Sequence, residues 1–239
     1  MSTWSVARKE GRCGTGNWEA FDKGFDSIAI SVRAWKQHLT GIKKGWLCWH
    51  LDDQWCKVQQ RLILNAGWTP IVGGDSSCGN KTILEGSVYL NFNEQLKLPC
   101  MWMHFPLEFV FLFIDKLAFW HSDFICSIDD MSYYSEIFSN LKDGETAAVK
   151  HLSGWKGFKD PFTNHFGELV GCTTKGASED QYNKGCGWWR HIECHPNRKV
   201  HGIQKVYYEH GTGIYIWNKK FNGRVRTLMV NEEDGHATV

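Results

Sequence analysis

His121 and Asp123 stand one residue apart just beyond the apolar run Leu117-Ala118-Phe119-Trp120. Two side chains separated by one residue at the end of a strand point to the same side of it. An imidazole and a carboxylate so arranged can share a hard divalent cation, whose remaining positions go to a diphosphate and to water. The same two residues also suit the closing of a turn, and the residues alone leave both readings open. An apolar pair, Phe124-Ile125, takes the chain away, Asp129-Asp130 follow, and a further imidazole, His236, comes late in the sequence.

Three other groups have side chains that do chemistry. Cys186, His191, Cys194 and His195 include three positions on one helical face, so a zinc site is conceivable there, although paired Cys-x-x-Cys or His-x-x-x-His spacing is missing. In Glu209-His210-Gly211-Thr212-Gly213 the glycines allow close backbone approach, so His210 can bind a phosphate or act as an acid; an exposed turn explains it equally well. Gly11-Arg12-Cys13-Gly14-Thr15-Gly16 resembles a phosphate loop only superficially, because it lacks a preceding strand and the Lys-Ser/Thr ending.

The elements that must position these groups can be read from periodicity. After an irregular lead-in over 1–25, Asp26 to Arg33 reads as a buried strand and Trp35 to Lys44 as a short helix. Trp46 to Leu51 is a second apolar run, stopped by Asp52-Asp53. Gln54 to Asn65 has helical spacing at Trp55, Val58, Leu62 and Ile63, with Gly67 as the stop. Thr69 to Val72 is a third strand, closed by Gly73-Gly74. Strands alternating with helices over short links predict an α/β fold with a mostly parallel central sheet flanked by helices. Ligands of such sheets bind beyond the carboxyl ends of the strands, where Arg33, Asp52-Asp53 and Gly73-Gly74-Asp75 would fall.

Further along, Thr82 to Asn93 suits a strand or hairpin, and Leu107 to Ile114 a buried helix or strand. Met131 to Leu141 reads as a helix, Thr146 to Val149 and Glu168 to Cys172 as strands. Ser178 to Cys194 reads as a helix capped by Ser178, with Glu179-Asp180 in its first turn. Lys205 to Trp217 alternates like a strand pair about Gly211-Thr212-Gly213, and Arg224 to Val230 reads as a final strand.

Composition narrows the classes. The 239 residues, 42% hydrophobic and 22% charged, suit a globular protein, taken here as one domain over 1–239. A net charge of +1 argues against a nucleic-acid partner recognised by phosphate neutralisation. The 13 tryptophans serve packing and also stack on sugar rings. Nine cysteines without framework spacing, and no leader pattern, lead to the expectation of reduced thiols and a cytoplasmic location. The longest apolar run, Phe105 to Trp120, is too short and too charged for a transmembrane segment.

The run from Leu117 to Ser132 resembles the metal-site region of GT-A-type glycosyltransferases, in which an apolar strand ends in Asp-x-Asp, continues through a few apolar residues and turns at another aspartate into a helix. His121 stands for the first aspartate of that motif and Asp123 matches the last. The late His236 is similar to the histidine that completes the metal site in several members. The resemblance implies a single GT-A-like domain and transfer of a sugar from a nucleotide-diphosphate donor to a hydroxyl of a glycan or other acceptor. It implies Mn2+ or Mg2+ held by His121, Asp123 and His236 and stabilising the leaving diphosphate. Arg33, Asp52 and Asp53 would contact the nucleoside, and Trp188 and Trp189 would wall the donor or acceptor. Glu179, Asp180 or Glu209 would be the carboxylate base of an inverting reaction. A metal-dependent hydrolase or nucleotidyltransferase, and a non-catalytic carbohydrate- or nucleotide-binding protein, remain the alternatives.

Overall fold

The computed structural model describes residues 36–49, 53–74, 81–91, 110, 113–120, 124–150, 166–184, 210–228 and 235–236. In chain order the elements are β1 (Lys44–Trp49), α1 (Asp53–Asn65), β2 (Thr69–Gly74), β3 (Val88–Asn91), β4 (Lys116–Trp120), β5 (Phe124–Ile125) and α2 (Ile128–Ser139). They continue with β6 (Glu145–Lys150), β7 (Phe166–Thr174), α3 (Lys175–Asn183), α4 (His210–Phe221), β8 (Arg224–Leu228) and β9 (Gly235–His236). The lead-in, the strand expected over 26–33 and the cluster at Cys186, His191, Cys194 and His195 lie outside the described residues.

Seven strands form one sheet in the order β3-β2-β1-β4-β7-β6-β8, and β5 pairs with β9 in a second, two-stranded sheet. β1 runs parallel to β2 and to β4, β2 parallel to β3, and β6 parallel to β8. β7 alone opposes its neighbours, pairing antiparallel with both β4 and β6. The sheet is therefore mixed and mostly parallel, and the fold is of the α/β class. Among the described residues no helix is long and apolar enough to cross a membrane.

Alternation along the strands sorts side chains to two faces. On one face Trp46, Cys48, Ala118, Trp120, Ala147 and Cys172 join Cys56 and Ile63 of α1 and Met131, Tyr134 and Phe138 of α2 in the main core. On the other face Ala148 packs against Ile214 of α4, and Gln181 of α3 donates to Thr146 Oγ1 at 3.0 Å. Helices thus cover both faces. α1 buries Cys56, Gln59, Gln60 and Ile63, a spacing that turns one stripe inward. Of the apolar positions expected to form that face only Ile63 is buried, and Val58 is 39% exposed. The helix is rotated toward its glutamines, whose hydrogen bonds are described below.

Helix boundaries follow local chemistry. Ser127 caps α2 by accepting from Asp130 N at 3.0 Å, and Asp129-Asp130 lie in its first turn, where carboxylates favour the helix dipole. α1 ends before Gly67, which adopts φ 74°, a conformation that a β-carbon disfavours. α4 ends before Asn222 at φ 57°, the sole non-glycine residue in that region among those described.

Several expectations are corrected. Residues 210–221 are helical, not a strand pair: Ile214 and Trp217, three apart, are both buried, and the glycines fall in the first turn. α3 begins at Lys175, not at Ser178. Thr174 is the residue at the cap position, its Oγ1 accepting from Ala177 N at 3.4 Å, while Ser178 is buried within the helix. The helix ends at Asn183 rather than Cys194. Of the strand or hairpin expected over Thr82 to Asn93, the described part holds the single strand β3, which runs parallel to β2. The helix expected from Trp35 to Lys44 is described only over 36–39, and Lys44 already belongs to β1. β8 is followed by β9, so it is not the final strand.

Gly171 shows how tightly the central strands meet. It pairs with Phe119 across β4–β7, and the Phe119 ring covers it. A β-carbon there would lie 2.2 Å from Phe119 Cζ and 2.7 Å from the Ala147 carbonyl oxygen. Gly171→Ala is expected to cost about 1–3 kcal/mol through overpacking, read as a lowered urea midpoint with unchanged slope. A midpoint equal to wild type would contradict the close approach.

Candidate functional site

The parallel strands β1 and β4 lie side by side, yet β1 leads through α1 to β2 on its other flank. Strand order therefore departs in opposite directions from the β1–β4 seam. In an open α/β sheet the crevice beyond the carboxyl ends at such a point is the preferred ligand site. β1 ends there at Trp49 and β4 at Trp120. By sequence, His50 to Asp52 follow the first and His121 to Asp123 the second.

Beyond β4 the chain re-enters as β5, where Phe124 pairs with His236 and Ile125 with Gly235. The backbone of the late histidine thus lies opposite the residue that follows Asp123. Aromatic side chains pack along this part of the chain: the Trp120 and Phe124 rings lie 6.1 Å apart, Phe124 and Tyr134 6.3 Å, and Trp46 and Trp120 4.8 Å. Gln59 Nε2 donates to the Phe124 carbonyl oxygen at 3.0 Å, so α1 holds β5 directly.

Gln60 performs a similar task for the segment before β3. Its Nε2 donates to the Thr82 carbonyl oxygen at 2.8 Å and its Oε1 accepts from Leu84 N at 2.9 Å. Asp53 completes the attachment: Oδ1 accepts from Thr82 N at 2.6 Å and Oδ2 from Thr82 Oγ1 at 2.9 Å. Lys57 Nζ lies 3.3 Å from Oδ2. The Thr82 backbone and hydroxyl bonds, helped by Lys57, hold the Asp53 carboxyl below the usual carboxylate range. Asp53 therefore already has a structural task at the edge where a nucleoside contact was expected. The buried glutamines were missed in the sequence, where only Trp55, Val58, Leu62 and Ile63 marked the inward face of that helix. Their signal is the 56, 59, 60, 63 spacing, visible only once cysteine and glutamine are admitted to a buried stripe.

The expected bases separate by position. α3 starts beside Thr174, which pairs with Lys116 at the opening of β4, so it starts at the edge opposite the carboxyl ends. Glu179 lies 3.9 Å from Lys175 Nζ. Asp180 Oδ2 accepts from Lys184 Nζ at 2.7 Å and from Trp217 Nε1 at 2.7 Å, which ties α3 to α4. The Lys184 bond, then the Trp217 bond, lower its carboxyl below the ordinary range, which weakens it as a proton acceptor. α4 finishes two residues before β8 opens, so its twelve residues, about 18 Å of helix, carry its start at His210 back toward the carboxyl edge. Glu209 precedes that start in sequence.

Arg33, Asp52, His121, Asp123, Trp188, Trp189 and Glu209 lie outside the described residues, and His210 and His236 are described in backbone only. Among the described residues no cluster of three His, Cys, Asp or Glu side chains could hold a metal ion. No protein-family model matches the chain, and no curated protein is similar enough to it to count as a relative.

The Asp53 latch has a pH signature. A carboxyl whose folded pKa is depressed stabilises the fold above its unfolded value, about 4, and that contribution is lost as pH falls through the folded pKa. Asp53→Asn is expected to lower stability near neutrality and to flatten the acid limb of the stability–pH curve in urea unfolding. An acid limb as steep as that of wild type would assign the pH dependence elsewhere.

Proposed function

We propose that the chain is a GT-A-type glycosyltransferase that moves a sugar from a nucleotide-diphosphate donor to a hydroxyl of a glycan or other acceptor. The observation that carries this reading is the Phe124–His236 pairing beyond β4, which joins the late histidine's backbone to the chain position after Asp123. Two further observations support it. The β1–β4 seam is the sheet's topological switch. The chain beyond β5 turns at Ser127 into a helix with Asp129-Asp130 in its first turn, the sequel that the family motif calls for.

The donor set fits the metal that the resemblance implies. A carboxylate from Asp123 with imidazoles from His121 and His236 suits Mn2+, and Mg2+ less well because it prefers oxygen. Such an ion supplies charge that stabilises the leaving diphosphate. The acceptor oxygen forms a bond to the anomeric carbon as the bond from that carbon to the diphosphate oxygen breaks, and the hydroxyl proton passes to a carboxylate. Glu209, the residue before α4 in sequence, is the better candidate for that carboxylate. Asp180 is engaged by Lys184 and Trp217, and Glu179 sits on a helix that starts at the far edge. His210, beside Glu209, is suited to a donor phosphate.

The test is turnover of a panel of nucleotide-diphosphate sugars by the full chain with Mn2+, scored as donor hydrolysis or transfer. Asp123→Ala and His236→Ala are expected to lower the rate on the order of a hundredfold, with folding checked by circular dichroism. Variants that turn donor over like wild type would refute the site assignment. Donor binding without turnover would make the chain a binding protein. Hydrolysis of nucleotides lacking a sugar would favour the hydrolase alternative.

A further inference from the structure

We propose that Cys48 and Cys56 are a reversible dithiol–disulfide site, oxidised by small hydroperoxides, that ties the carboxyl end of β1 to the start of α1. Their sulfurs lie 3.8 Å apart, both residues are buried, and both are free thiols. Cys48 is the next-to-last residue of β1 and Cys56 the fourth of α1, eight positions on. The Cys48 thiol donates to the Cys56 carbonyl oxygen at 3.4 Å, and Gln60 Nε2 donates to Cys56 Sγ at 3.4 Å.

That arrangement makes the two sulfurs unequal. The contact with the Cys48 sulfur, then the Gln60 hydrogen bond and the charge of Lys81, hold the Cys56 thiol below its ordinary range, while burial pushes Cys48 well up. Cys56 is the side favoured as thiolate, and Cys48 the thiol at hand to resolve it. Cys172, fully buried in β7, is driven the other way by desolvation and serves as an internal control.

The chemistry balances with hydrogen peroxide as oxidant. The Cys56 thiol gives up its proton, the thiolate attacks one peroxide oxygen, the O–O bond breaks, and the departing hydroxide takes up that proton and leaves as water while Cys56 becomes a sulfenic acid. The Cys48 sulfur then attacks that sulfur, the S–S bond forms, the S–O bond breaks, and a second water leaves. Two electrons and two protons pass from the thiols to the peroxide. The sulfurs must close from 3.8 Å to about 2.05 Å. The ring so formed encloses the chain positions between the two cysteines, which include Asp52 and Asp53. The inference does not rest on glycosyl transfer.

The reduced full chain is exposed to a slight excess of hydrogen peroxide, quenched with catalase, alkylated in denaturant and digested for mass mapping. The expected product is a linked Cys48–Cys56 peptide, lighter by two hydrogens than its parts and released by dithiothreitol. In Cys48→Ser, Cys56 is expected to stop at the sulfenic acid and take up dimedone several-fold more than in wild type. Cys172→Ser is expected to leave the linked peptide unchanged. Recovery of Cys48 and Cys56 as alkylated thiols while other cysteines oxidise would overturn the proposal, as would linkage of Cys56 to a different cysteine. The wild-type map decides the matter even where a serine variant fails to fold.

Discussion

Trp46 is the point on which the rest of the molecule leans. Its indole, fully buried near the middle of β1, meets Trp120 at 4.8 Å, Phe138 at 5.3 Å and Trp68 at 5.4 Å. These rings come from β4, from α2 and from the entry to β2. Each such pair adds about 0.5–1.5 kcal/mol beyond the area it buries. One side chain thereby fixes how β1 meets β4, where α2 sits, and where the chain returns after α1. Trp68 adds a polar link, its Nε1 donating to Ser135 Oγ at 2.9 Å, which in turn donates to the Ala66 carbonyl oxygen at 3.2 Å. The aromatic cluster sets the seam, and the seam sets the crevice.

Much of this architecture is legible in the sequence because β1 and β4 are buried on both faces. A two-sided burial writes itself as an apolar run, as in Trp46 to Cys48 and Leu117 to Trp120. What the sequence hides is where polar side chains do the burying. Gln59 and Gln60 look solvated until the carbonyls and amides they serve are known. Residues 210–221 mislead for the opposite reason. Tyr215 and Trp217 alternate with other side chains as strand residues do, but α4 buries only Ile214 and Trp217 among the residues whose side chains are described there. Thr174 rather than Ser178 stands at the start of α3, a choice between two hydroxyls that local propensity cannot make.

The candidate site divides along the same line. The α/β class and the mostly parallel sheet follow from periodicity and link length, whereas the order of strands that sets the β1–β4 seam does not. That Phe124 pairs with His236 does not either, because the partners are far apart in sequence and the strands are two residues each. Nor does the sequence reveal that Asp53 and Asp180 are already engaged, the first by Thr82 and the second by Lys184 and Trp217. Carboxylates at helix starts look equally available on paper. Their hydrogen bonds decide which of them is free to meet a ligand.

The left-handed turns at Gly67 and Asn222 have a consequence for descent with modification. Both return a helix to the amino edge of the sheet within two or three residues, and both ask for a backbone shape few side chains accept. That rim leaves little latitude for insertion. The opposite rim spends its length more freely, with fifteen residues between β6 and β7 alone. A lineage could rewrite that rim, and the molecules it meets, while inheriting the instructions for folding almost untouched.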